Sequence, residues 1–357
     1  MVKVIHIVGA RPQFIKLSPL YNCMRKNDFK QIILHTGQHY DENMSNIFFS
    51  KFNIPKPDFN LNINQLKHGA MTGRMIEMIE EILLSVDIDY VIVYGDTNST
   101  LAGSIASKKL GKKIVHVEAG VRNNDKFMPE EINRILTDRI SDLLFCSSID
   151  SYKNLINEGY KELDCKIENV GDIMFENISQ ANISKSLLKD SKKILFTCHR
   201  QKNIEENSLK NIIEAINHLS TDYEIIFPVH PSTKKRLDVY NIICDFKMLS
   251  PVSHDEILKL IIESRYVITD SGGIVKESYW LKKPSLSILN SPVWPELITA
   301  NASINCQPRK EMILTSFNNL KKIKSFKENI FGDGKSSQKM VNIILEDFNN
   351  TNSYEDQ

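Results

Sequence analysis

The chain has 357 residues, enough for two domains of ordinary size, and 41% apolar with 25% charged residues is a globular composition. With 45 Lys and Arg against 44 Asp and Glu, the formal net charge of +1 gives no support to a nucleic-acid or acidic-polymer partner, so any cationic site must be local. The six cysteines are scattered without a CxxC pair, which argues against a zinc site and a disulfide framework, and no apolar run approaches the roughly 20 residues that span a bilayer.

Short apolar runs at 2–8, 31–35, 89–94, 113–117 and 142–146 alternate with helical patterns such as 70–86 and 97–109. Runs that are apolar throughout fit strands buried on both faces of a parallel sheet, and their alternation with helices implies βαβ units. The rhythm restarts with strands at 193–197, 223–228, 266–269 and 285–289, between helices near 206–219, 254–263 and 273–281. The expectation is an α/β chain of two Rossmann-like domains, 1–170 and 171–336, with a hinge near 168–175 and a cleft between them. An amphipathic segment at 335–348 follows a glycine turn, and TNSYEDQ reads as a frayed tail. Met1-Val-Lys-Val runs directly into a strand and does not resemble a signal peptide, so a reducing cytoplasm is the expected compartment.

Polar residues gather just after the strands, where ligands bind in open α/β sheets. In GARPQFIK the first strand stops at Gly9, and Arg11 and Lys16 follow at a helix N-terminus, an arrangement suited to an anion. Next comes TGQHYD, with His39, where Asp41 is a candidate helix cap. GDTNST places Asp96 at the end of a buried strand, either as a helix N-cap or as an acid/base group. HVEAG places Glu118 in or just beyond an apolar strand, where an ionised carboxylate needs a partner; Arg122 is a candidate. PEEINR opens a helix with Glu130 and Arg134 in or near its first turn. The second half supplies His199 in TCHR, His230 in PVHP, and Ser271, Gly272, Gly273 and Glu277 in a strand-to-helix turn that forms a second anion cradle. Trp280 and Trp294 read as packing residues.

GARPQFIK, TGQHYD, GDTNST, HVEAGVR, PEEINR, HR, PVHP, TDSGG and FGDG, in this order and spacing, resemble the UDP-N-acetylglucosamine 2-epimerase family from residue 8 to about 345. The resemblance implies the GT-B fold, with the last helix, 337–357, crossing back to the first domain. It implies a homodimer that interconverts UDP-GlcNAc and UDP-ManNAc, or related UDP-2-acetamido sugars, for surface polysaccharides, with no cofactor and no metal. It further implies elimination of UDP to a 2-acetamidoglucal followed by re-addition. On the matching positions, Asp96, Glu118, Glu130 and His199 would be catalytic, with base and acid not assigned among them. Arg11, Lys16, His39, Arg134, His230, Ser271, Gly272, Gly273 and Glu277 would hold the nucleotide sugar.

The chain also departs from the family pattern. Where many members carry R-D-T-T-E-R-P-E, it reads Leu289-Asn-Ser-Pro-Val-Trp-Pro-Glu296, keeping only Pro295 and Glu296. Trp294, HGAMTGRM and MPEEINRILTDRISDLLF resemble the subgroup acting on UDP-2,3-diacetamido-glucuronate. Asp41 replaces a glutamine of the family's accessory site, so substrate activation is expected to be absent or weak. A hydrolysing 2-epimerase, a GT-B glycosyltransferase and a non-catalytic nucleotide-sugar binder are the competing expectations.

Overall fold

The computed structural model describes residues 1–38, 53–125, 127–180 and 191–355. The chain divides into two compact units, Met1–Ala181 with Phe331–Gln357, and Asn182–Ile330.

The first unit is built on a seven-stranded, wholly parallel sheet. Its strands are β1 (Lys3–Val8), β2 (Lys30–His35), β3 (Phe59–Asn60), β4 (Tyr90–Tyr94), β5 (Lys113–Ala119), β6 (Leu143–Cys146) and β7 (Lys166–Asn169), in the order β3-β2-β1-β4-β5-β6-β7. The order reverses direction between β1 and β4, which makes that gap a topological switch point. Burial on both faces explains the unbroken apolar runs. Val4, Val8, Tyr90, Ile92 and Tyr94 face α1 (Arg11–Lys26) and the C-terminal helix α13 (Ser336–Glu355). Ile5, Ile7, Val91 and Val93 pack on the other face with Met71, Met75, Ile79 and Leu83 of α2 (His68–Ser85). Beside α2 lies α3 (Asn98–Lys109), and beside that α4 (Pro129–Ile140).

Three local features bind this unit together. Pro19 sits inside α1 and cannot donate to the carbonyl of Ile15; Asn177 Nδ2, on α6 (Met174–Gln180), donates to it at 2.7 Å instead. Helix α13 returns to the first sheet, where Asp347 accepts from Tyr90 Oη at 2.6 Å and from Lys113 Nζ at 2.7 Å. Its helix continues through 351–355, so the segment read as a frayed tail is helical over most of its length. Where the chain leaves β7 and later re-enters, Gly171 (φ 89°) and Gly332 (φ 86°) cross so closely that a Cβ on Gly171 would lie 2.9 Å from the Cα of Gly332.

The second unit carries a six-stranded parallel sheet of β8 (Lys193–Thr197), β9 (Glu224–Pro228), β10 (Met248–Leu249), β11 (Tyr266–Thr269), β12 (Ser285–Ile288) and β13 (Ser303–Cys306). Its order, β10-β9-β8-β11-β12-β13, reverses between β8 and β11. Phe196, Phe227, Ile268 and Leu286 pack against Leu209, Ile212, Ile213 and Ile216 of α7 (Glu206–Leu219) and Phe317 of α12 (Lys310–Leu320).

Candidate functional site

In the first unit the polar residues collect at the switch point. Helix α1 begins after Ala10, which has no side chain to cap it. Gln13 does that work from inside the helix: its Oε1 accepts from the N–H groups of Gly9 (2.7 Å) and Ala10 (2.9 Å). Its Nε2 donates to the Tyr94 carbonyl at 2.8 Å and to the hydroxyls of Thr97 and Thr100 at 3.0 Å. One buried amide thus stitches the end of β1 to the end of β4. Gly9 cannot be replaced there, because an added Cβ would lie 2.0 Å from Thr36 Oγ1 and 2.3 Å from Ser99 Oγ.

Next to this stitch lies a pocket of about 210 Å³, lined by Lys16, Asp96, Glu130, Asn133, His68 and Gln38 among others. Asp96 is not the cap of α3; Thr97 is, accepting from the Thr100 N–H. The Asp96 carboxylate is instead ion-paired with Arg134, whose other nitrogen bonds Glu131 Oε2 at 2.8 Å. Glu131 also accepts from the backbone of Asn123 and Asn124, both at 3.0 Å. Asn133 Nδ2 holds the Asp96 carbonyl at 2.9 Å.

Glu118 corrects one expectation. Its partner is Lys16, not Arg122. Arg122 turns to Asp138 (2.7 Å) and Glu158 (2.8 Å). The reason is backbone conformation: Glu118 adopts a left-handed φ of 76° where β5 shifts register against β6, which re-aims its side chain. The first unit therefore brings Lys16, Asp96, Glu118, Glu130 and Arg134 together. His39 and Asp41 lie outside the described residues, as does the side chain of Arg11.

The second unit repeats the principle at its own switch point. Asp270, buried at the end of β11, accepts from the backbone N–H groups of His199 (2.9 Å) and Arg200 (2.9 Å) and from Asn203 Nδ2 (3.2 Å). His199 Nδ1 lies 3.2 Å from the same carboxylate. Burial pushes the Asp270 acid up, but the His199 imidazole and the two backbone donors outweigh it and hold it below the ordinary range. His230 is 6.0 Å from His199 between ring centroids, and its Nδ1 accepts from Ser232 N–H at 3.2 Å, capping α8 (Pro231–Val239). Ser271 caps α10 (Gly272–Trp280), whose first residues are Gly272 and Gly273. Glu277, buried on that helix, meets His254 Nε2 at 2.8 Å. Trp294 does more than pack: its indole N–H donates to the Gly272 carbonyl at 2.9 Å, and Lys276 Nζ sits 3.6 Å from a ring centroid.

A family profile described as UDP-N-acetylglucosamine 2-epimerase matches residues 22–345. The chain belongs to the UDP-N-acetylglucosamine 2-epimerase family. Members of that family are isomerases by name. A UDP-N-acetylglucosamine 2-epimerase homolog of Methanococcus maripaludis is 43% identical over 96% of this chain and 99% of its own. The UDP-2,3-diacetamido-2,3-dideoxy-D-glucuronate 2-epimerase of Pseudomonas aeruginosa is 39% identical over 96% of this chain and 99% of its own. Among solved structures, the Methanocaldococcus jannaschii UDP-GlcNAc 2-epimerase in complex with UDP-GlcNAc and UDP superposes with a TM-score of 0.82 at 38% identity, covering 97% of this chain and all of that one. With these neighbours, the two Rossmann-like units are those of the GT-B class. No helix among the described residues is long and apolar enough to cross a membrane.

Set against the family motifs, the residues missed in the sequence are supports: Gln13, Asn133, Asp138, Asp270 and His254. All but His254 lie inside or near a recognised motif, but only the fold shows which distant atoms each one bonds. Asp270 carried a usable signal, a carboxylate at the end of an apolar strand.

Proposed function

We propose that the chain is a non-hydrolysing 2-epimerase of a UDP-2-acetamido sugar, with UDP-GlcNAc and UDP-ManNAc as the interconverted pair. The observation that carries this reading is the gathering of Lys16, Asp96 and Glu130 around one pocket of the first unit, with Glu118 ion-paired to that Lys16. The C2 proton of such a sugar has no neighbouring carbonyl to acidify it. A carboxylate removes it as the C1–O bond breaks, the electron pair leaving with UDP and a C1=C2 double bond forming. Protonation on the opposite face and re-addition of UDP complete the inversion. Three carboxylates in one unit suit a reaction that needs both an acid and a base. Ser271, the Gly272-Gly273 turn, His199 and His230, at the strand ends of the second unit, are assigned to the nucleotide and its departing diphosphate.

A second substrate, UDP-2,3-diacetamido-glucuronate, is favoured by the Pseudomonas relative and by Trp294, which with Lys276 occupies the region where the family's arginines are missing. The enzyme is assigned to the cytoplasm as a homodimer. The dimer is supported by Ile132, Ile135 and Leu136, which form an exposed apolar face on α4.

Incubation with UDP-GlcNAc in D₂O, followed by NMR, tests the reading. Deuterium at C2 in a mixture of both epimers is expected, without stoichiometric free UDP and without any acceptor. Absence of C2 deuterium with either candidate substrate would end it.

A further inference from the structure

We propose that His116 is a positioning residue with protons on both ring nitrogens, and that it fixes the Gly95–Asp96 peptide under the pocket carboxylates. The catalytic consequence rests on the epimerase reading; the placement of the hydrogens does not.

His116 lies on β5 and is fully buried. Its Nε2 is 2.8 Å from the Gly95 carbonyl oxygen, which can only accept, so Nε2 carries a proton. Its Nδ1 is 2.6 Å from Asp138 Oδ1. If Nδ1 were bare, its lone pair would face those of a carboxylate at that distance, so a proton lies between them. Asp138 Oδ2 accepts from Arg122 at 2.7 Å and from the Gly120 N–H at 3.1 Å. A guanidinium and a backbone N–H on that oxygen stabilise the anion, so Asp138 is the acceptor of the pair. The proton therefore belongs to the ring.

The charges also balance. His116 and Arg122 supply two positive groups; Asp138 and Glu158 supply two negative ones, Glu158 accepting from Arg122 Nε and Nη2, both at 2.8 Å. Other titratable groups that feel the Asp138 charge are Cys146, Tyr160 and Cys165; burial is the largest cause pushing all three acids up, and the Asp138 charge adds to it, so they stay neutral.

The consequence is at Gly95. Its N–H donates to the Val117 carbonyl at 2.9 Å while its own carbonyl takes His116, so the turn after β4 is tied to β5 on both sides. An added Cβ on Gly95 would lie 3.2 Å from Lys16 Nζ and 3.7 Å from Glu118 Oε2, so this backbone is the floor beneath the ion pair. Asp138 and Arg134 share α4, so the imidazolium also clamps the helix that holds Asp96 to the turn that carries it.

The test is nitrogen NMR on protein labelled at histidine, at the pH where the enzyme turns over, with His116 assigned from the signal lost in His116→Gln. Should that variant fold poorly, Asp138→Asn, which keeps an acceptor oxygen at Nδ1, shifts the same ring and gives the assignment. Two protonated nitrogens are expected, together with at least a tenfold loss of kcat and a KM within threefold in H116Q or, if that variant is unfolded, in D138N. A ring with one bare nitrogen overturns the proposal, and so does unchanged kcat in the folded variant. If the wild type itself fails to exchange C2 deuterium, the epimerase reading falls while the NMR result still decides the hydrogens.

Discussion

Glu118 reaches Lys16 from a left-handed backbone: the carboxylate at the end of β5 closes on the ammonium of α1, and φ at Glu118 is 76°. Both side chains are largely withdrawn from water, at 17% and 9% exposed. Removing one partner takes an opposite charge away from a group largely withdrawn from water, which costs about 3 kcal/mol, whereas the second removal costs less once the first is made. Glu118→Gln and Lys16→Met should each lower the urea-unfolding free energy by about that amount, and the double variant should lose ~2 kcal/mol less than their sum. Glu118→Gln should also lower C2 deuterium exchange by about 100-fold or more. Additive stability losses would show that the two groups do not interact.

That pair also marks where reading the chain stops. The nine inner strands, the two-unit plan and the loops bearing Asp96, His199 and Ser271 were legible, because burial on both sheet faces writes uniform apolar runs and chemistry collects at their ends; the edge strands β3, β7, β10 and β13 were not. The partner of Glu118 was not, because Arg122 is near in sequence and Lys16 is near only in the fold. Asp96 was equally readable as a cap, and the capping role belongs to Thr97 beside it. Helix α4 is more instructive. Ile132, Ile135 and Leu136 have the spacing of a core stripe, yet they face outward, while Glu131, Asn133, Arg134 and Asp138 are buried. A helix that lines a polar pocket inverts the usual pattern, and no periodicity argument sees that.

Arg134 divides its guanidinium between Glu131 and Asp96. A lysine preserves the charge but cannot hold two carboxylates in one plane. Arg134→Lys should fold normally and lose about 100-fold in kcat/KM, roughly 2.7 kcal/mol of transition-state stabilisation. Full activity in that variant, measured by steady-state epimer formation, would reduce the arginine to a point charge.

Acid should weaken the two units in different windows. Burial pushes the fully enclosed His6 ring down to about 4, partly opposed by its bond to Gln31, while the unfolded ring titrates near 6.5. With the folded value depressed, the contribution is present above pH 6.5 and is lost as pH falls towards 4, by roughly 3 kcal/mol. Asp270, also depressed when folded, adds stability above the unfolded carboxyl value near 3.8 that disappears only below it. His6→Gln should flatten the dependence of unfolding free energy on pH between 6.5 and 4, and Asp270→Asn should alter it below 4. Identical slopes for wild type and His6→Gln across the upper window would contradict this.

The outward face of α4 makes the last prediction. Ile132, Ile135 and Leu136 are 47%, 41% and 46% exposed, on a helix whose inner face is charged and hydrogen-bonded. Inner polar contacts orient such a helix but bury little apolar area to hold it, so a second copy covering the outer face would supply that missing burial. Ile135→Lys with Leu136→Lys should therefore convert the proposed dimer to a monomer in sedimentation velocity. Because neither side chain lies in the core, the monomer should keep its fold with a stability change of about 0.5 kcal/mol or less per site. Its activity should nevertheless fall, since Glu130 and Arg134 ride on the same helix and lose their outer support. A monomeric wild type, or a monomeric variant with full turnover, would separate the apolar face from the chemistry on the other side.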